Sequence, residues 1–516
     1  MDDGHRGRAA GRNRVEAPEL LARLWARDAA EGLAQRTPAF SAKAGLSRTQ
    51  AWALVLGVTM VLLAGTGRAH WQAQMLAGTA ALGFTALILL RLLACLLPPA
   101  WAKRRELRDC ALPRASIIIA LYRESTVLPV LVAALEAIDY PADRLEIRLA
   151  LEADDSETIA TARALELDDK YRIVLVPEGG PRTKPRALNY ALRFCSGEIV
   201  SVHDAEDRPH PHQLRAAAES FAAAGPELAC LQAQLNWFNR CECWLARQFA
   251  LEYAAHFHAL LPLYARLRWP LPLGGTSNHF RTAALRRAGG WDAWNVTEDA
   301  DLGFRLHAMG YRCDVIAPLT LEEAPTRVWP WVCQRTRWLK GYAQTLAVHS
   351  RGSAGNPAGR PTGLALVLTL GAALVSALAH APLAALCLLH LLDGGPGDIV
   401  YGGFLLTGYA ASAATAATGM RRAGLPVRLG DLMSMPLYWP LQSWAAVRAL
   451  YQLVTRPYFW DKTEHGVSTY TDQACISPSP QPSPSSGSAS PFSSPDAGAP
   501  DSPSVPNAGR GLSPGP

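Results

Sequence analysis

Four stretches of this chain carry no Asp, Glu, Lys or Arg: residues 50–67, 69–90, 361–392 and 399–420. A helix needs ~20 apolar residues to cross a bilayer, and uncharged runs of that length are rare in soluble cores. The first two runs predict a transmembrane hairpin over 50–97. The third predicts one long span or two short ones broken near His380–Pro382, and the fourth a further span ending at Arg421 and Arg422. Composition agrees, with 49% hydrophobic and only 18% charged residues, against a soluble norm of about 25% charged. Lys103, Arg104, Arg105 and Arg108 follow the hairpin, whereas its turn holds only Arg68, so the positive-inside rule puts the next domain in the cytoplasm. A last apolar run, 432–447, is short, bears Trp and Tyr, and has Arg428, Arg448 and Arg456 on its flanks. Within a 430–470 segment this favours a helix lying in the cytosolic interface over a crossing. Four spans are expected, give or take one, within residues 50–97 and 361–420 and this last segment.

The two ends differ from the middle. Residues 1–49 are charged and Ala/Arg-rich, without the apolar core and cleavage site of a signal peptide, and Glu16–Leu33 has the spacing of a short amphipathic helix. From 477 to 516 the Ser/Pro/Gly/Ala composition supplies no core and predicts disorder. The ten cysteines are scattered without a paired CxxC, as suits reduced thiols of a cytosol-facing protein. Cys241 and Cys243 form a lone CxC, which reads as buried structural cysteine. The net charge of +6 is not gathered into a Lys/Arg face, so no nucleic-acid partner is expected.

Between the hydrophobic segments, residues 101–345 change character. Ser116–Leu121, Glu146–Leu151, Arg172–Val176 and Glu198–His203 are short apolar runs suited to buried strands, while Val127–Ile138 and Lys184–Phe194 have helical spacing. A mostly parallel sheet with flanking helices is the economical α/β fold. Ligands of such sheets collect beyond the carboxyl ends of the strands.

Acidic residues cluster at those ends. Glu152, Asp154 and Asp155 follow one strand, and Asp204, Glu206 and Asp207 follow another. Carboxylate pairs of this kind suit Mg²⁺ or Mn²⁺, which one or two carboxylates hold together with substrate phosphates. A third acidic group, Thr297-Glu298-Asp299 with Asp301, precedes the helix-like Leu302–Met309 and could equally be an N-cap with its favourable dipole charges. Gln334-Arg335-Thr336-Arg337-Trp338 is a cationic aromatic stretch beside Lys340, compatible with simple anchoring at a membrane.

In this order the four elements resemble the processive family 2 glycosyltransferases, the group of cellulose, hyaluronan and chitin synthases. Lys184-Pro185-Arg186-Ala187-Leu188-Asn189, Gly274 to Arg281, Gly289-Gly290-Trp291-Asp292 and a tail similar to that of bacterial exopolysaccharide synthases, Pro457 to Gly466, extend the resemblance. It implies a GT-A type nucleotide-sugar-binding domain joined to a transmembrane helix bundle in a bacterial inner membrane, with the catalytic domain cytoplasmic. It further implies that Asp154 and Asp155 contact the nucleotide of a UDP-sugar. The metal turn is Asp204-Ala205-Glu206, where Glu replaces the family's second Asp and leaves Glu206 and the adjacent Asp207 as alternative ligands. Lys184 is implied near the diphosphate, Asp299 as the base with Glu298 beside it, and Gln334, Arg335, Arg337 and Trp338 around diphosphate and acceptor. The implied reaction is inverting transfer onto a growing β-linked polysaccharide, with export or regulatory partner proteins possible in principle. Two other readings stand beside it: transfer of one sugar to a membrane lipid, since QxxRW also occurs in lipid glucosyltransferases, and a non-catalytic membrane scaffold or receptor.

Overall fold

The computed structural model describes residues 14–15, 18–65, 70–351, 362–393, 398–461, 466 and 468. The tail 477–516 and part of the Pro457–Gly466 phrase lie outside the described residues. The N-terminal part forms strand β1 (Arg14–Val15), helix α1 (Glu19–Arg36), two short 3₁₀ turns, α2 (Arg48–Gly65) and α3 (His70–Leu96). The α/β part follows as β2 (Ala115–Leu121), α4 (Leu128–Glu136), β3 (Leu145–Glu152), α5 (Ser156–Ala164), β4 (Tyr171–Val176), α6 (Lys184–Leu192) and β5 (Ile199–His203). It continues through β6 (Arg208–Pro209), α7 (Gln213–Ala222), β7 (Leu228–Trp237), α8 (Trp244–Ala255), a π-helical turn and α9 (Leu261–Arg266). It closes with β8 (Asn278–Arg281), α10 (Thr282–Arg287), α11 (Glu298–Ala308), β9 (Arg312–Glu322) and α12 (Val328–His349).

The nine strands make one sheet in the order β1-β4-β3-β2-β5-β8-β7-β9-β6. The pairs β2·β3, β2·β5, β3·β4 and β7·β9 are parallel, but β8 runs antiparallel between β5 and β7, and β6 antiparallel to β9. The expected mostly parallel sheet is thus a mixed one. Both of its faces are covered: Ile118 joins one core while its neighbours Ile117 and Ile119 join the other. Burying each such side chain contributes about 1.5–3 kcal/mol. The second half was harder to read because β7 buries Gln232, Gln234 and Asn236, which mimic a solvent-facing alternation. Gln232 donates to the Thr276 carbonyl (3.0 Å) and accepts from the Gly274 amide (2.8 Å), and Gln234 donates to the Ile316 carbonyl (3.1 Å).

After α12 come α13 (Gly363–Leu366), a π turn, α14 (Ala372–Asp393), α15 (Asp398–Arg422), α16 (Leu429–Met433) and α17 (Met435–Thr455). Among the described residues two helices are long and apolar enough to cross a membrane, Gly78–Leu96 and Gly363–Leu389. That is fewer than the four spans expected: the apolar part of α2, Arg48–Leu63, is shorter, and Gly, Ser and Thr dilute α15. Pro382 does not break the second helix in two. The Ser443 hydroxyl inserts into the ladder there, donating to the Ala377 carbonyl (2.6 Å) and accepting from the Ala381 amide (3.1 Å), a known way to absorb an interrupted turn. The run expected to lie at an interface is α17, which buries Tyr438, Ala445, Ala446 and Ala449.

Candidate active site

The loop after β5 carries Asp204, the loop before β8 carries Gly275, and the first turn of α11 carries Asp299. Strand pairing brings them together. A methyl group added at Gly275 would lie 3.2 Å from Asp299 Oδ2, 3.8 Å from Lys184 Nζ and 4.0 Å from Asp204 Oδ2, so three charged side chains converge on this one backbone position. Lys184, first residue of α6, donates to Asp204 Oδ1 and to the Gly275 carbonyl (2.6 Å). Burial works against its charge, yet Asp204, Glu298 and Asp299 hold the ammonium above its usual range. Burial pushes the Asp299 carboxyl up to about 6 and that of Glu298 up to about 8, the latter raised further by Asp299, while Lys184 and Arg337 pull both down.

The two alternative metal ligands have separate environments. Asp207 is 1% exposed; it accepts from the Asp204 amide (2.9 Å) and from the Thr276 hydroxyl, with His203 Nδ1 at 3.4 Å. It therefore braces the turn. Glu206 lines the cavity with Asp204, and burial together with Asp204 and Asp207 pushes its carboxyl well above the usual range. Such a group gains from a cation. Among the described residues no three His, Cys, Asp or Glu side chains are grouped to hold an ion by themselves, which fits a site completed by phosphate oxygens.

The Asp154-Asp155 loop is arranged differently. Asp155 caps α5, accepting from the Thr158 amide (3.2 Å), and also accepts from the Arg123 amide (2.5 Å). Asp154 pairs with Arg182 (2.9 Å), whose guanidinium lies 5.2 Å from the Tyr122 ring centre. Tyr122 and Arg182 line the cavity, leaving Asp154 one step behind them.

Helix α12 delivers Gln334, Arg335, Arg337 and Trp338 to the same cavity, of about 680 Å³. Gln334 Oε1 is buried without a partner, Arg337 sits 4.5 Å from the Trp460 ring centre, and Trp338 packs on Phe249 and Tyr253. Arg335 turns away to Glu252, which also accepts from Tyr438 (2.8 Å). The cavity continues past Tyr253 to Leu87 and Ile88 of α3, Ala373 and His380 of α14, and Tyr409 of α15.

Comparison with known proteins bears on these groups. Residues 113–341 match the family model described as "Glycosyltransferase like family 2". The matched region thus resembles a family 2 glycosyltransferase domain. The chain is 25% identical over 264 residues to "Probable glycosyltransferase YdaM" of Bacillus subtilis, covering 47% of this chain and 57% of that protein. It is 29% identical over 237 residues to "Beta-monoglucosyldiacylglycerol synthase" of Synechocystis sp. (44% and 48%), and 26% identical over 254 residues to "Glucomannan 4-beta-mannosyltransferase 2" of Arabidopsis thaliana (46% and 46%). The chain thus spans about half the length of the curated relatives it matches.

The matched region is an α/β domain built on a mixed sheet. Several residues of its site were not singled out from the sequence. Glu322, 7% exposed with Oε1 unpartnered, lines the cavity at the end of β9; no strand was assigned there. Glu252 sits in a helix with no acidic neighbour, and Arg182 stands two residues before Lys184, a proximity that would have flagged it. The CxC proved structural at Cys243, whose sulfur accepts from the Ala246 amide (3.4 Å) at the start of α8.

Proposed function

We propose that this protein is an inverting, membrane-embedded glycosyltransferase that takes sugar from a UDP-sugar and extends a β-linked polysaccharide, with its site facing the cytoplasm of a bacterial cell. The observation that carries this reading is the convergence of Asp204, Lys184 and Asp299 around Gly275, at one end of a cavity whose other end lies among apolar helices. Asp299 accepts the proton of the acceptor hydroxyl as that oxygen attacks the anomeric carbon. The bond from that carbon to the diphosphate breaks on the opposite face, and an α-linked donor becomes a β-glycoside without a covalent intermediate. Lys184 and Arg337 neutralise charge that grows on the leaving diphosphate. Asp204 and Glu206 would hold a divalent ion, Mg²⁺ or Mn²⁺, which supplies the same neutralisation when bound. Trp338 offers a flat face at the acceptor end, while Gln334 has a free acceptor for a sugar hydroxyl.

A lipid acceptor is the second reading, favoured by the apolar far end of the cavity and by the name of the Synechocystis relative. Membranes containing the protein, given a radiolabelled UDP-sugar, decide between them. High-molecular-weight product sensitive to β-glycanases is expected; a chloroform-soluble product bearing one sugar would discard polymerisation, and no incorporation from any nucleotide-sugar would discard transfer.

A further inference from the structure

The segment that delivers Asp299, residues 289–297, is largely buried but is held by hydrogen bonds from other elements. Gly289 and Gly290 have φ of +83° and +71°, and the segment forms no strand or helix before α11 begins. Arg305 donates to the Gly290 carbonyl (2.9 Å) and Thr183 to the Ala293 carbonyl (3.2 Å), and three further sets of bonds hold it. Asn189 accepts from the Trp291 amide (2.9 Å) and donates to the Trp291 carbonyl (2.7 Å). At the other end Gln344 of α12 accepts from the Val296 amide (3.0 Å), and Asn295 donates to the Thr345 hydroxyl (3.0 Å). The middle is held by Asp292, wholly buried. Its carboxylate accepts from the Ser41 hydroxyl (3.1 Å), the Ala42 amide (2.6 Å) and the Trp294 amide (3.1 Å). Two of these three donors belong to the strap that comes after α1.

That strap, residues 37–45, is itself fixed to the end of α12. Arg351 donates to the carbonyls of Pro38 (3.3 Å), Ala39 (3.1 Å), Ser41 (2.9 Å) and Gly45 (2.5 Å). The Ala30 carbonyl of α1 accepts from the Trp294 indole (3.1 Å), and Lys43 Nζ lies 4.4 Å from that ring's centre. The strap therefore joins the loop before the base to the helix that carries Gln334–Trp338. A buried carboxylate deprived of two donors either draws in water or moves, and both displace the residues on its C-terminal side.

We infer that the N-terminal strap is a positioning element of the active site, acting through Asp292 to hold the first turn of α11, and with it Asp299, in place. This rests on the assignment of Asp299 as the base. The strap would set turnover, whereas the donor pocket of Tyr122, Arg182, Lys184 and Asp204 comes from other elements and meets the loop at the bond from Thr183 to the Ala293 carbonyl (3.2 Å).

The test uses the full-length protein in lipid nanodiscs, with Asp292→Ala, Asp292→Asn and Ser41→Ala. Asp292→Ala should lower kcat by about 10²-fold, the scale of a base misplaced by an ångström. UDP affinity and donor KM should stay within about two-fold, so that the loss is confined to the transition state. Asp292→Asn, whose carbonyl can still accept from Ala42, should recover most of the loss, and Ser41→Ala should fall between. Independently of activity, amide exchange over residues 293–301 should accelerate in Asp292→Ala and Ser41→Ala. Lowered thermal stability with unchanged kcat and unchanged exchange would overturn the inference, as would UDP affinity falling in step with kcat. If Asp292→Ala does not fold, Ser41→Ala decides by the same two readouts. If the wild type transfers no sugar, the transferase reading fails separately, and exchange over 293–301 alone decides the strap.

Discussion

Two acidic loops that look alike in the sequence, Glu152-Ala153-Asp154-Asp155 and Asp204-Ala205-Glu206-Asp207, follow β3 and β5, the two strands that flank β2 in one sheet, and end in different work. In the first, Asp155 is consumed by a helix cap and a backbone amide, and Asp154 by Arg182. In the second, Asp207 is spent on the Asp204 amide and the Thr276 hydroxyl, while Asp204, paired with Lys184, and Glu206 line the cavity. A carboxylate at a strand end is thus available for chemistry only when its neighbours satisfy the loop's own amides. Both loops spend their last aspartate, Asp155 and Asp207, on backbone amides; they differ in that Asp154 pairs with Arg182 behind the cavity wall, whereas Asp204 pairs with Lys184 inside the cavity.

The largest expected contrast comes from the base that faces the second loop. Asp299→Asn should lower kcat by roughly 10²–10⁴-fold while UDP binding, followed by calorimetry, is kept. Asp204→Asn should cost about 10²-fold in turnover and weaken Mn²⁺ retention measured by electron paramagnetic resonance in the presence of UDP; equal effects from Asp154→Asn would erase the distinction between the loops. The pH profile should have a sign fixed by the base. Asp299 acts deprotonated, so kcat should be level above about 6 and fall about tenfold per unit below it, and Asp299→Glu should shift that limb. Smaller still, Asp155→Ala should destabilise the domain by about 1 kcal/mol through the lost cap, seen as a lower Tm with kcat nearly unchanged. Asp154→Asn should have the least effect, a rise in donor KM transmitted through Arg182.

Much of this contrast was not legible in the sequence. The strands β2 to β5 and helices α4 and α6 were readable because their apolar runs are continuous or helically spaced, and they place the acidic loops at one edge of the sheet. Strand β8, only four residues and polar, carries no such signal, yet it draws the Gly275 loop against Asp299. Which carboxylate is spent on the fold depends on amides and side chains that arrive from distant segments, as Thr276 does for Asp207. Thr297 stands at the N-cap position of α11 but its side chain makes no capping bond; in the first turn Asp301 forms a buried pair with Arg305 (3.0 Å) and meets His349 (2.9 Å), while its neighbour Asp299 lines the cavity. Position along the first turn, not composition, separates the two roles.

The bond between Ala42 and Asp292 joins residues 250 apart in the chain. At about 5–20 residues per second of synthesis, the strap waits roughly 12–50 s for its partner to leave the ribosome. During that interval α2 and α3 are already made while the loop that carries the base does not exist. On the inference above, docking of the strap is accordingly among the last events in the birth of the site, and newly made chains reach full turnover only once their two distant segments meet.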